Sequence, residues 1–261
     1  MKTKPLISII TVVFNGKKFL ERTIKSVLSQ THPNIEYIII DGGSTDGTVD
    51  IIKKYDKSIS YWVSEKDNGI YDAMNKGLKV ATGKYIGILN ADDYYAPNAV
   101  ELSLEKLAET NTDYSVAKVQ FFNSKVVATP IFPLKKSFIY QEMMYPHIGA
   151  FISKVAYEKV GLFDTSYKIA GDFDMALKIH LANFEACYVD SVIGFLEEGG
   201  VSSSTRTNEE FMQVSIAHGK SKLSAYLMYI KQLVNMKLHS ILPKTLRSTI
   251  MSLKNSRYKV K

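Results

Sequence analysis

Carboxylate side chains follow three successive predicted β-strands of this 261-residue chain. They are Asp41 after the second strand, Glu65 and Asp67 after the third, and Asp92 and Asp93 after the fourth. Each one alone is most simply a turn former or a helix cap, but five at one sheet edge would repel one another unless a cation lay between them. Because hard oxygen ligands favour Mg²⁺ or Mn²⁺ over zinc, the pattern predicts a site for one of these metals. Such a metal bridges phosphates and stabilises a diphosphate leaving group.

Apolar, β-branched runs alternate with helical spacing in the first part of the chain. Strands are predicted at 6–13, 35–40, 59–63 and 85–89, and helices at 17–29, 48–55 and 70–81. This alternation predicts right-handed crossovers and a parallel sheet. Ligands of such sheets bind beyond the carboxyl ends of the strands, where the carboxylates lie.

The second part of the chain is less regular. Short strand-like pieces are predicted between 113 and 133. Further strands are predicted at 148–152 and 185–189, and helices at 155–160, at 172–181 and from 211 to about 242. Pro243 is expected to break the last helix.

Other phosphate-binding and metal-binding patterns are missing. No Gly-x-Gly-x-x-Gly follows the first strand, and Gly77 to Tyr85 departs from the P-loop in spacing and in its last residue. Kinase-like, NTPase-like and dinucleotide-dependent functions are therefore disfavoured. A single cysteine, Cys187, permits no intramolecular disulfide, and the five histidines are too scattered for a zinc site.

The apolar run 6–14 is expected to be a buried strand and not a signal peptide. It is followed directly by Asn-Gly-Lys-Lys, whereas a signal peptide would end in a cleavage site of small residues. No later run reaches the ~20 apolar residues needed to span a bilayer, so we expect no membrane-spanning segment. The single cysteine favours a reducing, cytoplasmic setting.

Five ordered motifs resemble those of the bacterial family 2 glycosyltransferases over about residues 5–200. They are 8–16 (SIITVVFNG), 41–48 (DGGSTDGT), 67–77 (DNGIYDAMNKG), 81–86 (ATGKYI) and 90–93 (NADD). The resemblance implies an α/β fold of the GT-A (Rossmann-like) type, with a mostly parallel central sheet flanked by helices. It also implies inverting transfer of a sugar from a nucleotide-diphosphate donor, with a UDP-sugar favoured, to a glycan or lipid-linked acceptor in surface polysaccharide assembly.

The resemblance assigns roles to single residues. The implied donor-binding residues are Thr11, Val13, Asn15, Asp41, Asp67, Gly69, Asn75, Lys76 and Asp92. Asp93 is implied as the direct ligand of Mn²⁺ or Mg²⁺, with Asp92 near the ribose or the metal. The alternative for the Asp92–Asp93 pair is a helix cap before Pro97.

The general base is implied in the segment Ala170-Gly-Asp-Phe-Asp. Attack by an acceptor hydroxyl needs such a base opposite the phosphate, and Asp172 matches the family's catalytic aspartate. Its rival Asp174 points roughly 200° away on the helix, and the structural alternative for Asp172 is an N-cap. Gly171 and Asn90 stand where the family often has Glu and Asp. His147 matches a polar contact to the acceptor or the diphosphate, although a lone histidine is more often structural.

The chain is expected to divide at residue 210. Residues 1–210 would form the catalytic domain, with a nucleotide-binding half at about 1–95 and an acceptor-binding half at about 96–210. The tail 211–261 holds ten Lys or Arg and no Asp or Glu, whereas the rest holds 23 basic and 26 acidic residues. A basic amphipathic tail of this kind favours peripheral contact with the anionic inner face of the cell membrane. The alternatives are a helical cap on the domain and, with no binding motif to support it, a nucleic-acid contact.

Two other functions compete with sugar transfer. A nucleotidyltransferase that makes a sugar nucleotide would share such a sheet, but 12–18 lacks the Gly-rich, basic loop that it needs. A non-catalytic nucleotide or sugar module is disfavoured by the presence of Asp93 and Asp172. Paired carboxylates also serve inverting glycosidases, which require no metal cluster at a parallel sheet edge.

Overall fold

The computed structural model describes residues 4–122, 125–132, 139–140, 143–197 and 205–241. Within these residues the strands form one sheet with helices on both faces, which confirms the predicted α/β class. No helix among the described residues has the length and apolar character to cross a membrane.

The first part of the chain alternates strand and helix as predicted. Its elements are β1 (Ile7–Val13), α1 (Leu20–Leu28), β2 (Ile35–Asp41), α2 (Thr48–Lys54), β3 (Tyr61–Ser64), α3 (Ile70–Val80) and β4 (Tyr85–Asn90). All seven residues of β1 are buried. A strand covered on both faces has no solvent-facing positions, which explains its continuous apolar run.

The second part of the chain contains four more helices of eight or more residues among those described, together with one shorter one. Its elements are β5 (Tyr94–Tyr95), α4 (Ala99–Thr110), β6 (Tyr114–Phe121), β7 (Val127–Ala128), β8 (Ala150–Ser153), α5 (Lys154–Val160), α6 (Gly171–Leu181), β9 (Ala186–Leu196), α7 (Thr205–Ala217) and α8 (Lys222–Ile241). Short 3₁₀ turns lie at Asp56–Ser58 and His147–Gly149.

The sheet runs in the order β3-β2-β1-β4-β8-β6-β9-β5, and β7 pairs with β6. β1 lies parallel to β2 and β4, and β2 lies parallel to β3. Beyond β4 the sheet is mixed, because β8 runs antiparallel to both β4 and β6, whereas β9 is parallel to β6. The described part of the connection from β6 to β8 contains no α-helix, and strands joined without a crossover helix return antiparallel.

Three elements differ from the sequence expectations. Helix α4 was not expected, and β9 extends well beyond 189. The C-terminal helical region starts at 205 and not at 211, and it is interrupted after α7, where Gly219 adopts a left-handed φ of +91°. Glycine adopts this conformation without a steric cost, so it ends one helix and redirects the next. The expected domain boundary at 210 lies inside α7, and Pro243 lies outside the described residues.

Two apolar cores cover the sheet, one on each face. Ile10 and Val12 of β1 contribute to one core, whereas Ile7 and Ile9 contribute to the other. Cys187 is buried in the second core, as expected.

Candidate active site

Asp41 ends β2 in a completely buried position. Its carboxylate accepts hydrogen bonds from the backbone N–H of Gly43 and Ser44 at 3.2 and 2.9 Å, from the Ser44 hydroxyl, and from Ser64 Oγ at 2.6 Å. Both oxygens are thus used by protein donors. In this arrangement Asp41 organises the loop after β2 and holds it to β3.

The loop after β1 is joined to the loop after β2. Asn15 has a left-handed φ of 50°. Its backbone N–H donates to Ser44 Oγ at 2.7 Å, and its side-chain Oδ1 accepts from the Thr45 N–H at 3.0 Å. Val13 accepts from the Gly42 N–H at 2.9 Å. These two loops therefore form one rigid wall at the carboxyl edge of the sheet.

Asp67 lies over that wall. A Cβ added to Gly42 would come within 2.3 Å of Asp67 Oδ2, so the carboxylate rests on a position where only glycine fits. Its other oxygen accepts from the Gly69 N–H at 2.9 Å, and the left-handed Gly69 precedes α3. Asp67 and the Asn15 loop thus share one edge of the cleft.

Three predicted donor-binding residues have other contacts. Thr11 is buried, with its hydroxyl 3.1 Å from Tyr37 Oη. Asn75 is also buried, and its amide donates to the Phe163 carbonyl at 2.9 Å and accepts from the Phe163 N–H at 2.8 Å. Lys76 pairs with Glu65 at 2.8 Å. These contacts favour positioning roles for the three residues, and they show that Glu65 is paired with a lysine.

Asp92 and Asp93 follow β4 at the same edge. Val12 of β1 is paired with Asn90, and Val13 is paired with Asp41, so the ends of β2 and β4 flank β1 about 10 Å apart. Asp93 is buried, and this burial together with the charge of Asp92 raises the pKa of Asp93 to about 7. Neither aspartate caps α4, whose N-cap is Asn98.

Helix α1 holds the acidic loop in place. Arg22 donates to the Asp92 carbonyl at 2.6 Å and to Glu197 at 2.9 Å, and Glu197 N–H in turn donates to Asp93 Oδ1 at 3.2 Å. Thr23 Oγ1 lies 2.6 Å from the Asp93 carbonyl and 2.7 Å from the Ala91 carbonyl. No local pattern indicates these partners, since Arg22 and Glu197 are 175 residues apart.

The oxygen atoms at the end of β4 fit a hard divalent cation. Asn90 Oδ1 is buried without a protein partner among the described residues, and the Asn90 amide donates to Asp93 Oδ2 at 3.4 Å. The charge of Asp92 also acts on Asp93. The predicted convergence of five carboxylates on one cation is wrong: Asp41 and Glu65 have other partners, and Asp67 lies on Gly42 and accepts from the Gly69 N–H. In the described ranges no three His, Cys, Asp or Glu side chains group as metal ligands, so phosphate oxygens would have to complete the coordination.

His147 and Asp172 lie next to each other near the end of β4. His147 precedes β8, which runs antiparallel to β4, and the strand register brings it beside the end of β4. Its Nδ1 lies 3.8 Å from Asp172 Oδ2, and both side chains keep about a quarter of their surface exposed (26% and 27%). Burial raises the pKa of Asp172 although His147 opposes this, and burial lowers the pKa of His147 although Asp172 and Asp92 oppose it.

The start of α6 is set by packing and by a distant carboxylate. The N-cap is Ala170, so Asp172 is not the cap, and its Oδ1 accepts from the Phe173 N–H at 2.8 Å. A Cβ at Gly171 would lie 2.7 Å from the ring of Tyr71, whose hydroxyl donates to the Ile169 carbonyl at 2.6 Å. The ring therefore occupies the space that a side chain at 171 would need.

Glu210 of α7 caps the same turn from outside. Its Oε2 accepts from the backbone N–H groups of Lys168, Ile169 and Ala170 at 3.0, 2.7 and 3.0 Å. Burial raises its pKa, but the three donors outweigh burial and leave the pKa of Glu210 below its ordinary value. This positioning residue was missed because nothing in the local sequence links it to a helix start 40 residues upstream.

Asp174 is directed away from the cleft. It is buried, its Oδ1 lies 2.7 Å from His218 Nε2, and its Oδ2 lies 2.6 Å from Lys178 Nζ. The contact between Asp174 and His218 connects α6 to the turn after α7. This geometry favours Asp172 over Asp174 as the base.

Comparison with known proteins identifies the family. The family described as Glycosyl transferase family 2 matches residues 8–163. An uncharacterized glycosyltransferase of Mycobacterium tuberculosis is 32% identical over 217 residues, which cover 81% of this chain and 82% of that one. Chondroitin synthase of Escherichia coli is 32% identical over 191 residues, which cover 69% of this chain and 27% of that larger protein.

Solved structures share the fold. Staphylococcus aureus TarS 1–349 in complex with UDP-GlcNAc has a TM-score of 0.69 and 19% identity, over 87% of this chain and 71% of that one. The mannosyltransferase PcManGT from Pyrobaculum calidifontis, in complex with GDP-Man and Mn²⁺, has a TM-score of 0.66 and 17% identity, over 98% of this chain and 81% of that one. At these identities the likeness shows the fold, which is of the GT-A type.

We expect Glu210→Ala to lower the free energy of unfolding by roughly 2–4 kcal/mol, because it leaves three backbone N–H groups, that of the buried Ala170 among them, without their acceptor. Urea unfolding at neutral pH measures this, with Glu209→Ala as the exposed neighbouring control. Since the pKa of Glu210 is lowered in the folded state, its contribution is complete above the unfolded pKa and is lost as pH falls through the folded pKa. The gap between the two proteins should therefore narrow in acid, and equal stability at neutral pH would contradict the assignment.

Proposed function

The chain belongs to glycosyl transferase family 2, and on that premise we propose that it transfers a sugar, with inversion, from a nucleotide-diphosphate donor to an acceptor hydroxyl. The observation that carries the proposal is the position of His147, whose Nδ1 lies 3.8 Å from Asp172 Oδ2 and which the strand register brings beside the end of β4, where Asp92 and Asp93 follow. A candidate base and a candidate phosphate site thus face one small space. The polysaccharide named in the chondroitin synthase relative supports a role in cell-surface polysaccharide or glycan synthesis.

The donor would lie along the wall made by the loops after β1 and β2. Asn15, Asp67 and Gly69 line the exposed part of this wall and are the proposed contacts of the nucleoside. A UDP-sugar is favoured because TarS, which shares the fold, binds UDP-GlcNAc. A hexosyl or N-acetylhexosaminyl group is the corresponding proposal for the sugar.

The oxygen atoms of Asp93, Asp92 and Asn90 would hold Mn²⁺ or Mg²⁺. When bound, the cation neutralises charge on the departing nucleotide diphosphate. The Mn²⁺ of the PcManGT complex supports this choice. The family's frequent Asp is an Asn at 90, and its amide oxygen still provides a hard ligand.

Asp172 is the proposed general base. The acceptor oxygen bonds to the anomeric carbon on the face opposite the diphosphate, the acceptor proton passes to the Asp172 carboxylate, and the carbon–oxygen bond to the diphosphate breaks. The position of Asp172 in the first turn of α6 stabilises its ionised form, whereas burial raises its pKa, so the group is tuned toward proton uptake.

Helix α8 carries a second proposed function, contact with a membrane surface. Its exposed apolar residues are Leu223, Tyr226, Leu227, Ile230 and Val234. At 100° per residue they fall in an arc of about 100°, and Lys222 and Lys231 lie about 40° beyond its two margins. Lysines beside an apolar stripe can reach anionic headgroups while the stripe enters the lipid. The enzyme would then be peripheral at the inner face of the cell membrane, near a lipid-linked acceptor.

We expect Asp172→Asn to lower kcat at least 10²-fold while leaving UDP affinity unchanged, because only the proton acceptor is lost. The acidic limb of the wild-type kcat/KM profile should lie above the ordinary aspartate range, since burial raises the pKa of Asp172 and the base must be ionised. A carboxyl with a raised folded pKa costs stability as pH increases, so this variant should be at least as stable as wild type at neutral pH. Asp174→Asn is the contrasting variant. It should lose stability and keep its kcat, and the reverse pattern would name Asp174 as the base.

We expect Asp93→Asn to abolish Mn²⁺-dependent UDP binding in calorimetric titrations and to stop transfer. The control Asp50→Asn removes an exposed carboxylate of α2 and should bind as wild type does. Metal-dependent transfer from a UDP-sugar to an acceptor establishes the transferase. Formation of the sugar nucleotide from a nucleoside triphosphate would instead indicate a nucleotidyltransferase, and binding without turnover would indicate a non-catalytic module.

We expect the full chain to float with vesicles that contain phosphatidylglycerol, and Leu227→Asp/Ile230→Asp to reduce the bound fraction at least tenfold, because two apolar contacts are replaced by charges. Ser224→Asp adds a negative charge outside the apolar arc and should retain most binding. If all three proteins remained equally in the fraction that does not float with vesicles, membrane contact would be contradicted and a solvated helical cap would be favoured.

A further inference from the structure

A small cavity lies behind His147 and Asp172. Its volume is about 20 Å³, and its lining is largely apolar. Met74, Ile88 and Phe163 contribute to this lining. Its polar side chains are those of Tyr145, His147, Tyr157 and Asp172. The cavity therefore adjoins both the proposed base and His147.

Two polar atoms at this cavity lack a partner among the described residues. They are His147 Nε2 and the Tyr145 hydroxyl, and both are buried. Buried polar atoms are nearly always hydrogen-bonded, so each such atom requires an explanation. A volume of about 20 Å³ holds one water molecule, which needs at least two polar partners.

We propose that His147 is the positioning residue of the base, with its Nδ1–H directed at Asp172 and with a buried water molecule linking its Nε2 to the Tyr145 hydroxyl. The proposal rests on the role of Asp172 proposed above. It replaces the expected direct contact of His147 with the acceptor or the diphosphate by an action through Asp172.

The protonation states of the neighbouring groups agree with this arrangement. A neutral imidazole has one donor and one acceptor nitrogen. Burial lowers the pKa of His147 and keeps the ring neutral, and the Asp172 carboxylate at 3.8 Å favours the proton on Nδ1. Nε2 is then an acceptor. Burial keeps the Tyr145 hydroxyl protonated by raising its pKa well above the ordinary value, so it can donate through the water.

The charged and titratable groups around the ring come from several elements. Asp172 belongs to α6, Asp92 follows β4, and Tyr145 precedes the 3₁₀ turn of His147 itself. Tyr71 of α3 contacts the other side of the Asp172 turn. A neutral donor beside Asp172 stabilises the ionised base and fixes its rotamer, which is the role of the third group in other nucleophile–base systems.

The test is a double-mutant cycle on the full chain. We expect His147→Ala to lower kcat about 10²-fold, because a misplaced base is costly, and to move the acidic limb of kcat/KM to higher pH. Tyr145→Phe removes only the hydroxyl and should lower kcat roughly fivefold, with the same direction of shift and an unchanged KM for the donor. In the double variant the tyrosine change should add nothing, because its effect passes through His147.

Tyr114→Phe is the matched control. Its hydroxyl is also buried without a partner among the described residues, and its ring is 6.0 Å from that of Tyr145, yet Tyr114 does not line the cavity. It should keep the wild-type kcat and pH profile. Equal losses in Tyr114→Phe and Tyr145→Phe would show a packing effect and overturn the proposal.

A second measurement does not depend on turnover. Long-range ¹⁵N–¹H spectra of the imidazole rings, with the His147 signals assigned by their loss in His147→Ala, should show the Nδ1–H tautomer in wild type and a mixture in Tyr145→Phe. An Nε2–H tautomer in wild type, or additive effects in the cycle, would overturn the proposal. Absence of transfer with every sugar nucleotide would instead refute the proposed function, and the tautomer would still report on the His147–Tyr145 link.

Discussion

The parallel pairing of β1 with β2 and β4 is the constraint on which the rest of the structure depends. It ends three strands at one edge and places Asp41 and Asn90 on either side of Val12 and Val13. Because backbone hydrogen bonds fix this register, the following loops emerge close enough to bond one another. The Asn15–Ser44 contact and the seat of Asp67 over Gly42 follow from that closeness.

The buried carboxylates in and around the cleft fall into two groups, those with protein hydrogen-bond or ion-pair partners and those with few. Asp41, Glu210 and Asp174 have protein partners and hold loops and helices in place. Asp93 and Asp172 are also largely desolvated but have few donors, and their pKa values are raised. A carboxylate with few protein donors in the folded state remains able to bind a cation or a proton. The fold thus separates structural acids from those able to react.

Sequence reasoning predicted the strands and helices of the first half, because burial on both faces leaves a plain apolar pattern. It also placed Asp67, Asp92 and Asp93 after strands that end at one edge, whereas His147 and Asp172 were named only by the family resemblance. It misjudged Asp41 and Glu65, since a strand-end carboxylate looks the same whether it serves a turn, a lysine or a metal. Arg22 and Glu210 could not be found, because their partners lie far away in sequence. The order of β8, β6 and β9 is likewise decided by long-range pairing, which local periodicity does not encode.

The close packing of Tyr71 against Gly171 limits how this site can change in evolution. A larger residue at 171 would meet the ring at 2.7 Å, and the ring is held by its bond to the Ile169 carbonyl. The glutamate common in the family could therefore enter only together with a smaller or displaced residue at 71. Positions 71 and 171 should therefore change together during evolution. A sequence that keeps the aromatic ring at 71 must also keep glycine at 171.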